Sequence, residues 1–284
     1  MPGRPMEIIQ QRQTPVLSDK TFEKLRDYVY DRAGIRLSAS KRCIVESRLA
    51  RRIRENNLAD FEEYLQFLLA SGEKELKVLY DIVTTNETYF FREPQQYNVF
   101  TKDILPKVFE RKRTRDIRIW SAACSSGEEP YTTAAILKEI NPPVRAEIIG
   151  SDISDAVLET AKRGVYSSYS VRNVPPNYLR KYFKAGENAY ELDESIKKMV
   201  RFLNINLIDE KSVRAIRNVD VIFCRNVLIY FDDKSKRKAV SMLYDALAPN
   251  GFLIIGTSEN LYNVTRAFQP IVIDRVIIHQ KAAQ

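Results

Sequence analysis

The sequence predicts an α/β chain: an all-α N-terminal domain, then an open, doubly wound parallel sheet interrupted by a small β insert. Three observations carry this expectation. Residues 18–85 place apolar side chains only at helical spacing. From residue 117 onward, short apolar runs ending in small or polar residues alternate with helical stretches, the pattern of a parallel sheet wrapped by helices. Between residues 166 and 199 that alternation stops.

Taken in order, residues 1–17, with Pro2, Gly3, Pro5 and Pro15, read as a disordered lead. Ser18 and Asp19 resemble a helix cap, and Phe22, Leu25, Val29 and Tyr30 recur at helical spacing until Gly34 stops them. A second helix is expected over 40–55. A third carries Phe61, Leu65, Leu68 and Leu69 and ends near Gly72, and a fourth carries Leu76, Leu79, Ile82 and Val83. Residues 86–115 form a linker segment and one helix starting near Pro94. The catalytic-type domain is expected over 116–284, with strands at Ile117-Arg118-Ile119-Trp120, Ala146-Glu147-Ile148-Ile149, Val219-Asp220-Val221-Ile222-Phe223 and Phe252-Leu253-Ile254-Ile255. Pro175-Pro176, Gly186 and the short runs at 190–192 and 199–203 predict a hairpin-like insert over about 171–203.

Composition narrows the chemistry. At 284 residues and 44% hydrophobic, the chain can bury one large core or two modest ones. Its longest apolar runs fall far short of the roughly 20 residues of a membrane span. No apolar signal region is visible near Met1, so the cytoplasm is the expected compartment. Cys43, Cys124 and Cys224 are too far apart for a disulfide framework or a zinc site, and no metal is expected. The one histidine, His279, lies five residues from the end, which excludes serine or cysteine triads and His-ligated metals. The balance of 45 Lys+Arg against 37 Asp+Glu, net +8, points to an acidic partner, either nucleic acid or protein.

The first strand runs into Ala122-Ala123-Cys124-Ser125-Ser126-Gly127-Glu128-Glu129-Pro130 and then a helix. Such a small-residue turn lets a ligand approach backbone N–H groups. Two carboxylates where phosphates would sit favour a cationic or zwitterionic ligand; alternatively they open the helix as its acidic first turn. The second strand ends at Gly150-Ser151-Asp152, where an acid either holds ribose hydroxyls or caps the next helix. Asn226 falls just past a strictly apolar strand, facing a pocket or making a turn, while Phe231 reads as core and both inner cysteines as small packing residues.

Five ordered motifs carry a resemblance. They are Thr84-Thr85-Asn86-Glu87-Thr88-Tyr89-Phe90-Phe91-Arg92, the run from Trp120 through Ser125-Ser126-Gly127 to Tyr131, Ser151-Asp152-Ile153, the run from Phe223 through Arg225-Asn226 to Phe231, and Gly256-Thr257-Ser258-Glu259. Together, over about 18–280, the chain resembles the CheR family of chemotaxis receptor glutamate O-methyltransferases. Cys124 and Ser126 are small variations within its loop. The resemblance implies a Rossmann-like class I methyltransferase domain with a small inserted β-subdomain, and S-adenosylmethionine-dependent methylation of receptor glutamates to methyl esters, leaving S-adenosylhomocysteine. It implies a cofactor site of Asn86, Thr88, Arg92, Glu129, Asp152, Asn206, Leu207, Asn226 and Val227, with Asp152 on the ribose. Arg92 and Tyr230 are implied beside the reacting methyl group.

The chemistry agrees. Methyl transfer is an in-line displacement in which alignment supplies up to roughly 7–11 kcal/mol. A glutamate nucleophile is already ionised, so no histidine is needed. Arg92 either orients the substrate carboxylate through a forked hydrogen bond or contacts the cofactor carboxylate. Between residues 36 and 54 seven basic residues face one acid, Glu46; at about 100° per residue, Lys41, Arg48, Arg51 and Arg52 share one face. That stripe is either a solvated face or, on a CheR-like chain, a contact for an acidic receptor helix. The basic run at 111–115 reads as helix-end charge and linker. Expected partners are cytoplasmic helices of membrane chemoreceptors, a receptor carboxyl-terminal peptide at the β-subdomain and a regulatory adaptor protein. Nucleic acid and membrane insertion are not expected, and the chain is expected to be a monomer. The rivals are a nucleic-acid methyltransferase and a non-catalytic adaptor. The first lacks a Pro-Pro-aromatic grip after Asn226, and the second is disfavoured by Arg92, Asp152 and Tyr230.

Overall fold

A computed structural model describes residues 15–283; most of the expected disordered lead, residues 1–14, lies outside them. Leu17 corrects the rest of that expectation. It is fully buried, and its N–H donates to Glu46 Oε1 at 2.8 Å. Its carbonyl accepts from Arg42. Ser18 Oγ then accepts the N–H of Thr21 and opens α1 (Asp19–Ala33), which Gly34 closes at φ +69°. A Cβ on Gly34 would also stand 2.8 Å from Ser235 Oγ of the following domain, so the turn and the docking both need glycine. A single 3-10 turn at Ala39–Lys41 leads into α2 (Arg42–Glu55), and α3 (Phe61–Ser71) and α4 (Glu73–Val83) complete the helical layer.

After the linker comes α5 (Pro94–Val99), a π-helical turn at Phe100–Ile104 and α6 (Leu105–Lys112), where the sequence predicts one helix. Pro106 has no N–H for the carbonyl four residues back, and the wider turn absorbs that loss. The end of α6 is not merely helix-end charge. Arg111 and Lys112 converge on Asp220, whose side chain is 2% exposed within the sheet.

The sheet is built from β1 (Asp116–Ala122), β2 (Arg145–Asp152), β6 (Val200–Asn204), β7 (Val219–Cys224), β8 (Leu247–Ile255), β9 (Phe268–Ile273) and β10 (Val276–Lys281), in the order β6-β2-β1-β7-β8-β10-β9. The first five pair in parallel and β10 is antiparallel to both neighbours. Every residue of β7 is buried, as the near-continuous apolar run of a central parallel strand requires. Helices α7 (Glu128–Lys138), α8 (Asp155–Arg163), α12 (Glu210–Val213) and α13 (Asp233–Ala246) connect the strands. A second antiparallel sheet, β3-β5-β4, joins β3 (Val165–Tyr166), β4 (Phe183–Ala185) and β5 (Tyr190–Leu192), with α9 (Ser168–Val171), α10 (Pro176–Tyr182) and α11 (Glu194–Lys197) around it.

The insert thus begins before residue 171 and ends before 200. The run expected to close it is the edge strand β6, in register with β2 from Ile148↔Val200 to Asp152↔Asn204. A five-residue edge strand reads like a hairpin arm in sequence, because its partner lies about fifty residues upstream. Gly150 admits the pairing: a Cβ there would sit 2.7 Å from the Phe202 ring.

One face of the sheet, through Trp120, Ile149 and Ile222, shares a core with Leu25, Leu49 and Leu79 of the helical layer. The other face, through Ile119, Val221 and Phe223, packs with Phe100, Leu105 and Tyr131. Tyr30 Oη donates to Asp232 at 2.7 Å and Ile35 bridges Phe231, so the helical domain is fixed beside the carboxyl ends of the strands.

Candidate active site

A cavity of about 1000 Å³, counting its open mouth, lies where β1, β2 and β7 end, between the linker and the start of α2. Asn86, Thr88, Arg92, Glu129, Asp152, Asn206, Leu207, Asn226, Val227, Tyr230 and Lys41 all line it. Arg48, Arg51 and Arg52 do not.

The floor is made by the strand-end loops. Ala123 and Ser125 adopt left-handed backbone, at φ 63° and 50°, and Gly127 stands at 91°. These reversals fold the loop over the end of β2, where Cys124 N–H reaches the Ser151 carbonyl at 2.8 Å. Asp152 is 7% exposed and accepts the N–H groups of Ser125 and Ser154 at 2.9 and 3.0 Å. It therefore ties the two strand-end loops together and lines the cavity, while Ser154 Oγ caps α8 by accepting the Val157 N–H. Burial pushes its carboxyl up, against the pull of those N–H groups.

The acidic pair in the next turn divides. Glu128 is buried, accepts from Ser126 Oγ at 2.8 Å and opens α7; Glu129 faces the cavity, held by Ser121 Oγ at 2.6 Å and Arg225 Nη1 at 2.9 Å. Burial raises both carboxyls.

Asn226 makes a turn, at φ 56°, and lines the cavity. Its N–H and that of Gly256 both donate to Glu259 Oε2 at 2.8 Å, tying the ends of β7 and β8 together. Asn206 spends its side chain on the protein, donating to the Arg32 carbonyl at 2.7 Å and accepting from Ile208 N–H at 3.1 Å. Asn86 accepts Ser125 Oγ on its carbonyl at 3.2 Å.

At the mouth the charge reverses. Arg92 Nη1 donates to the Glu87 carbonyl at 3.0 Å and its guanidinium lies 5.6 Å from the centre of the Tyr89 ring. The Tyr230 carbonyl accepts Arg36 N–H at 2.9 Å. Over its ring, at 4.3 Å, stands the Lys41 ammonium, which also reaches Thr85 Oγ1 at 3.3 Å. Burial, and the nearby Arg48, hold the Lys41 amine below the usual lysine range.

The rest of the basic stripe has other employment. Arg52 forks onto Glu75 at 2.9 and 2.6 Å, a carboxylate whose side chain is 2% exposed and which Tyr64 also donates to. Arg48 Nη1 donates to the Ile82 and Thr84 carbonyls at the end of α4. Among the described residues Arg51 pairs only with Glu55, and its side chain is 80% exposed. Helical spacing identifies a shared face but not the neighbour that fills it.

Arg225 and Glu259 escaped sequence reasoning as site residues, although both stand inside quoted motifs. The available signal was an arginine immediately after six buried strand residues, a place that demands a partner. Cys124 and Cys224 are buried with their thiols pushed up, as packing residues. His279 is buried in β10, burial lowering its imidazole, and does not line the cavity.

These residues suit S-adenosylmethionine. Asp152 is a rigid anion for two hydroxyls, Ile153, Ile205, Leu207 and Val227 offer apolar surface to a flat base, and Glu129 sets negative charge where a cationic ligand needs it. Comparison with known proteins agrees. Residues 86–277 match the family model described as CheR methyltransferase, SAM binding domain, and residues 20–84 match CheR methyltransferase, all-alpha domain. The chain is 41% identical over 259 residues to chemotaxis protein methyltransferase 2 of Vibrio cholerae, covering 89% of this chain and 90% of that protein. It is 36% identical over 273 residues to the chemotaxis protein methyltransferase of Salmonella typhimurium, covering 94% and 92%, and 34% identical to that of Escherichia coli, covering 94% and 93%. Family-model matches over residues 20–84 and 86–277, with relatives 34–41% identical over most of the chain, establish that the chain belongs to the CheR family and is an S-adenosylmethionine-dependent methyltransferase.

Proposed function

We propose that this enzyme methylates glutamate side chains on the cytoplasmic helices of membrane chemoreceptors, forming methyl esters in chemotaxis adaptation. One observation carries the reading: Lys41, Arg92 and Tyr230 line the same cavity as the carboxylates Glu129 and Asp152. The names of the relatives, chemotaxis protein methyltransferases, support it.

When bound, S-adenosylmethionine supplies an electrophilic methyl group on a positively charged sulfur. Asp152, fixed by two backbone N–H groups, keeps lone pairs free for the ribose hydroxyls. Leu207 and Val227 would hold the cofactor's base, and Asn86, Thr88, Glu129, Asn206 and Asn226 complete the polar lining. Arg92 has one Nη on Glu87 and keeps the rest of its fork for a carboxylate. A substrate glutamate arrives ionised, so these residues orient it and need not take a proton from it. Tyr230, held by Arg36 and capped by Lys41, walls the path along which acceptor and methyl group approach.

Lys41 at the mouth and the exposed Arg51 outside it offer positive charge to an acidic receptor helix, with Arg48 and Arg52 holding α2 in place. The β3-β5-β4 sheet is the proposed dock for a receptor carboxyl-terminal peptide. On this reading the enzyme works as a cytoplasmic monomer; among the described residues no helix is long and apolar enough to cross a membrane.

The test is incubation with methyl-labelled S-adenosylmethionine and receptor-bearing membranes, followed by alkali. Label released as volatile methanol supports carboxyl esters. Alkali-stable label in nucleic acid, or no transfer to receptors, overturns the proposal.

A further inference from the structure

Arg225 follows β7 directly and is buried, its side chain 2% exposed. Nη1 donates to Glu129 Oε2 at 2.9 Å and to Tyr97 Oη at 3.3 Å. Nη2 donates to the Arg92 carbonyl at 2.6 Å and lies 3.3 Å from Glu93 Oε2. One guanidinium therefore touches both an anionic residue of the cavity wall and the peptide of the cationic residue at its mouth. Fold stability alone is a poor account of this arrangement. Buried ion pairs are often matched or bettered by apolar residues of equal volume, since desolvation offsets the attraction.

We propose that Arg225 is a positioning residue for methyl transfer, holding the Glu129 carboxylate against the cofactor and the Arg92 peptide against the acceptor. The proposal rests on the assignment of Glu129 and Arg92 to the site made above. A fork is required because two acceptors on different elements are gripped together, which a lysine ammonium does not reproduce.

The geometry has an electrostatic consequence. Glu129 is faced by Cys224 and Arg225 from the end of β7, Glu93 from the linker, Ser121 from β1, Cys124 from the loop after it and Tyr97 from α5. Burial and Glu93 raise its carboxyl while Arg225 lowers it. Weakening Arg225 raises that carboxyl further, so affinity for a cationic ligand is lost at a higher pH on acidification.

The test uses Arg225→Lys and Arg225→Met, with binding of S-adenosylmethionine measured by calorimetry across pH, receptor methylation kinetics, and thermal melting. Arg225→Lys is expected to weaken binding about tenfold, move its acid limb upward and lower kcat about tenfold, with the receptor KM within about twofold of the parent. Arg225→Met should deepen each effect, and Arg225→Lys carries the test if Met does not fold. The pH shift should vanish in Arg225→Lys combined with Glu129→Gln. A lowered Tm in Arg225→Lys with unchanged affinity, pH profile and kcat overturns the proposal and leaves Arg225 a structural ion pair. Glu129→Gln in the parent separates the underlying assignment: unaltered affinity there removes Glu129 from the site and the proposal falls with it.

Discussion

The floor of the cavity and the α2 face at its mouth both present charged side chains, yet they hold them by different means. Asp152 ends β2, Glu129 stands in the first turn of α7 and Asn226 lies two residues past β7; Asp152 accepts two backbone N–H groups, Glu129 is held by the buried Arg225, and Asn226 gives its own N–H to Glu259. On α2, Arg48 and Arg52 are consumed by carbonyls and by Glu75, and Arg51 stands in solvent. Position just past a parallel strand aims a residue at the cavity, because the loops at the carboxyl ends of the strands surround it. Position on a helix face does not, since a long flexible side chain follows whichever acceptor lies within reach.

The largest effect expected separates arginines one residue apart. Arg52→Ala removes the fork from a carboxylate that stays buried, and should cost about 3 kcal/mol, seen as a fall in chemical or thermal midpoint. Arg51→Ala, from the same stripe, should leave the midpoint where it is, as an exposed i,i+4 partner does. Equal losses would mean that α2 is held as a whole face and that the contrast with the floor is false.

Next is the floor itself. Asp152→Asn offers one acceptor where two N–H groups now converge, setting an amide donor against Ser125 or Ser154, and it removes the anion for the ribose. Affinity for S-adenosylhomocysteine should fall about 100-fold by calorimetry, with a smaller loss of stability. Because burial raises both the Asp152 and Glu129 carboxyls, affinity in the parent should begin to fall on acidification above the ordinary carboxylate range. The charged forms bind, so the loss comes as pH drops through those raised values.

Legibility in the sequence follows the same division. Strands β1, β2, β7 and β8 and the strand-end residues Asp152 and Asn226 were readable, because a parallel sheet places its loop residues at one edge whatever the loops contain, whereas Asn86, Thr88, Arg92, Asn206, Leu207, Val227 and Tyr230 came with the resemblance to the CheR family. Three features were hidden for a shared reason. The pairing of β6 with β2, the Arg52–Glu75 pair and the grip of Arg225 on Glu129 and Arg92 each join residues remote in sequence. Periodicity reports a face, not its partner. Glu128 and Glu129 show the limit most closely, since adjacent carboxylates of one motif point one into a helix start and one into the site.

Lys41 tests the division where the walls meet. It begins on the basic stripe, yet its ammonium lies inside the mouth, 4.3 Å from the centre of the Tyr230 ring. Lys41 is a proposed contact for the acidic receptor helix, so Lys41→Met should raise the receptor KM about tenfold while leaving cofactor affinity and Tm unchanged. Burial and Arg48 lower the Lys41 amine, and only its charged form attracts a carboxylate, so the parent KM should rise on alkalinisation below the ordinary lysine range. Lys41→Arg stays charged throughout and should flatten that limb. Should Lys41→Met instead weaken S-adenosylhomocysteine and spare the receptor KM, Lys41 belongs with the floor, and the boundary between a cofactor wall and a substrate wall must be redrawn across α2.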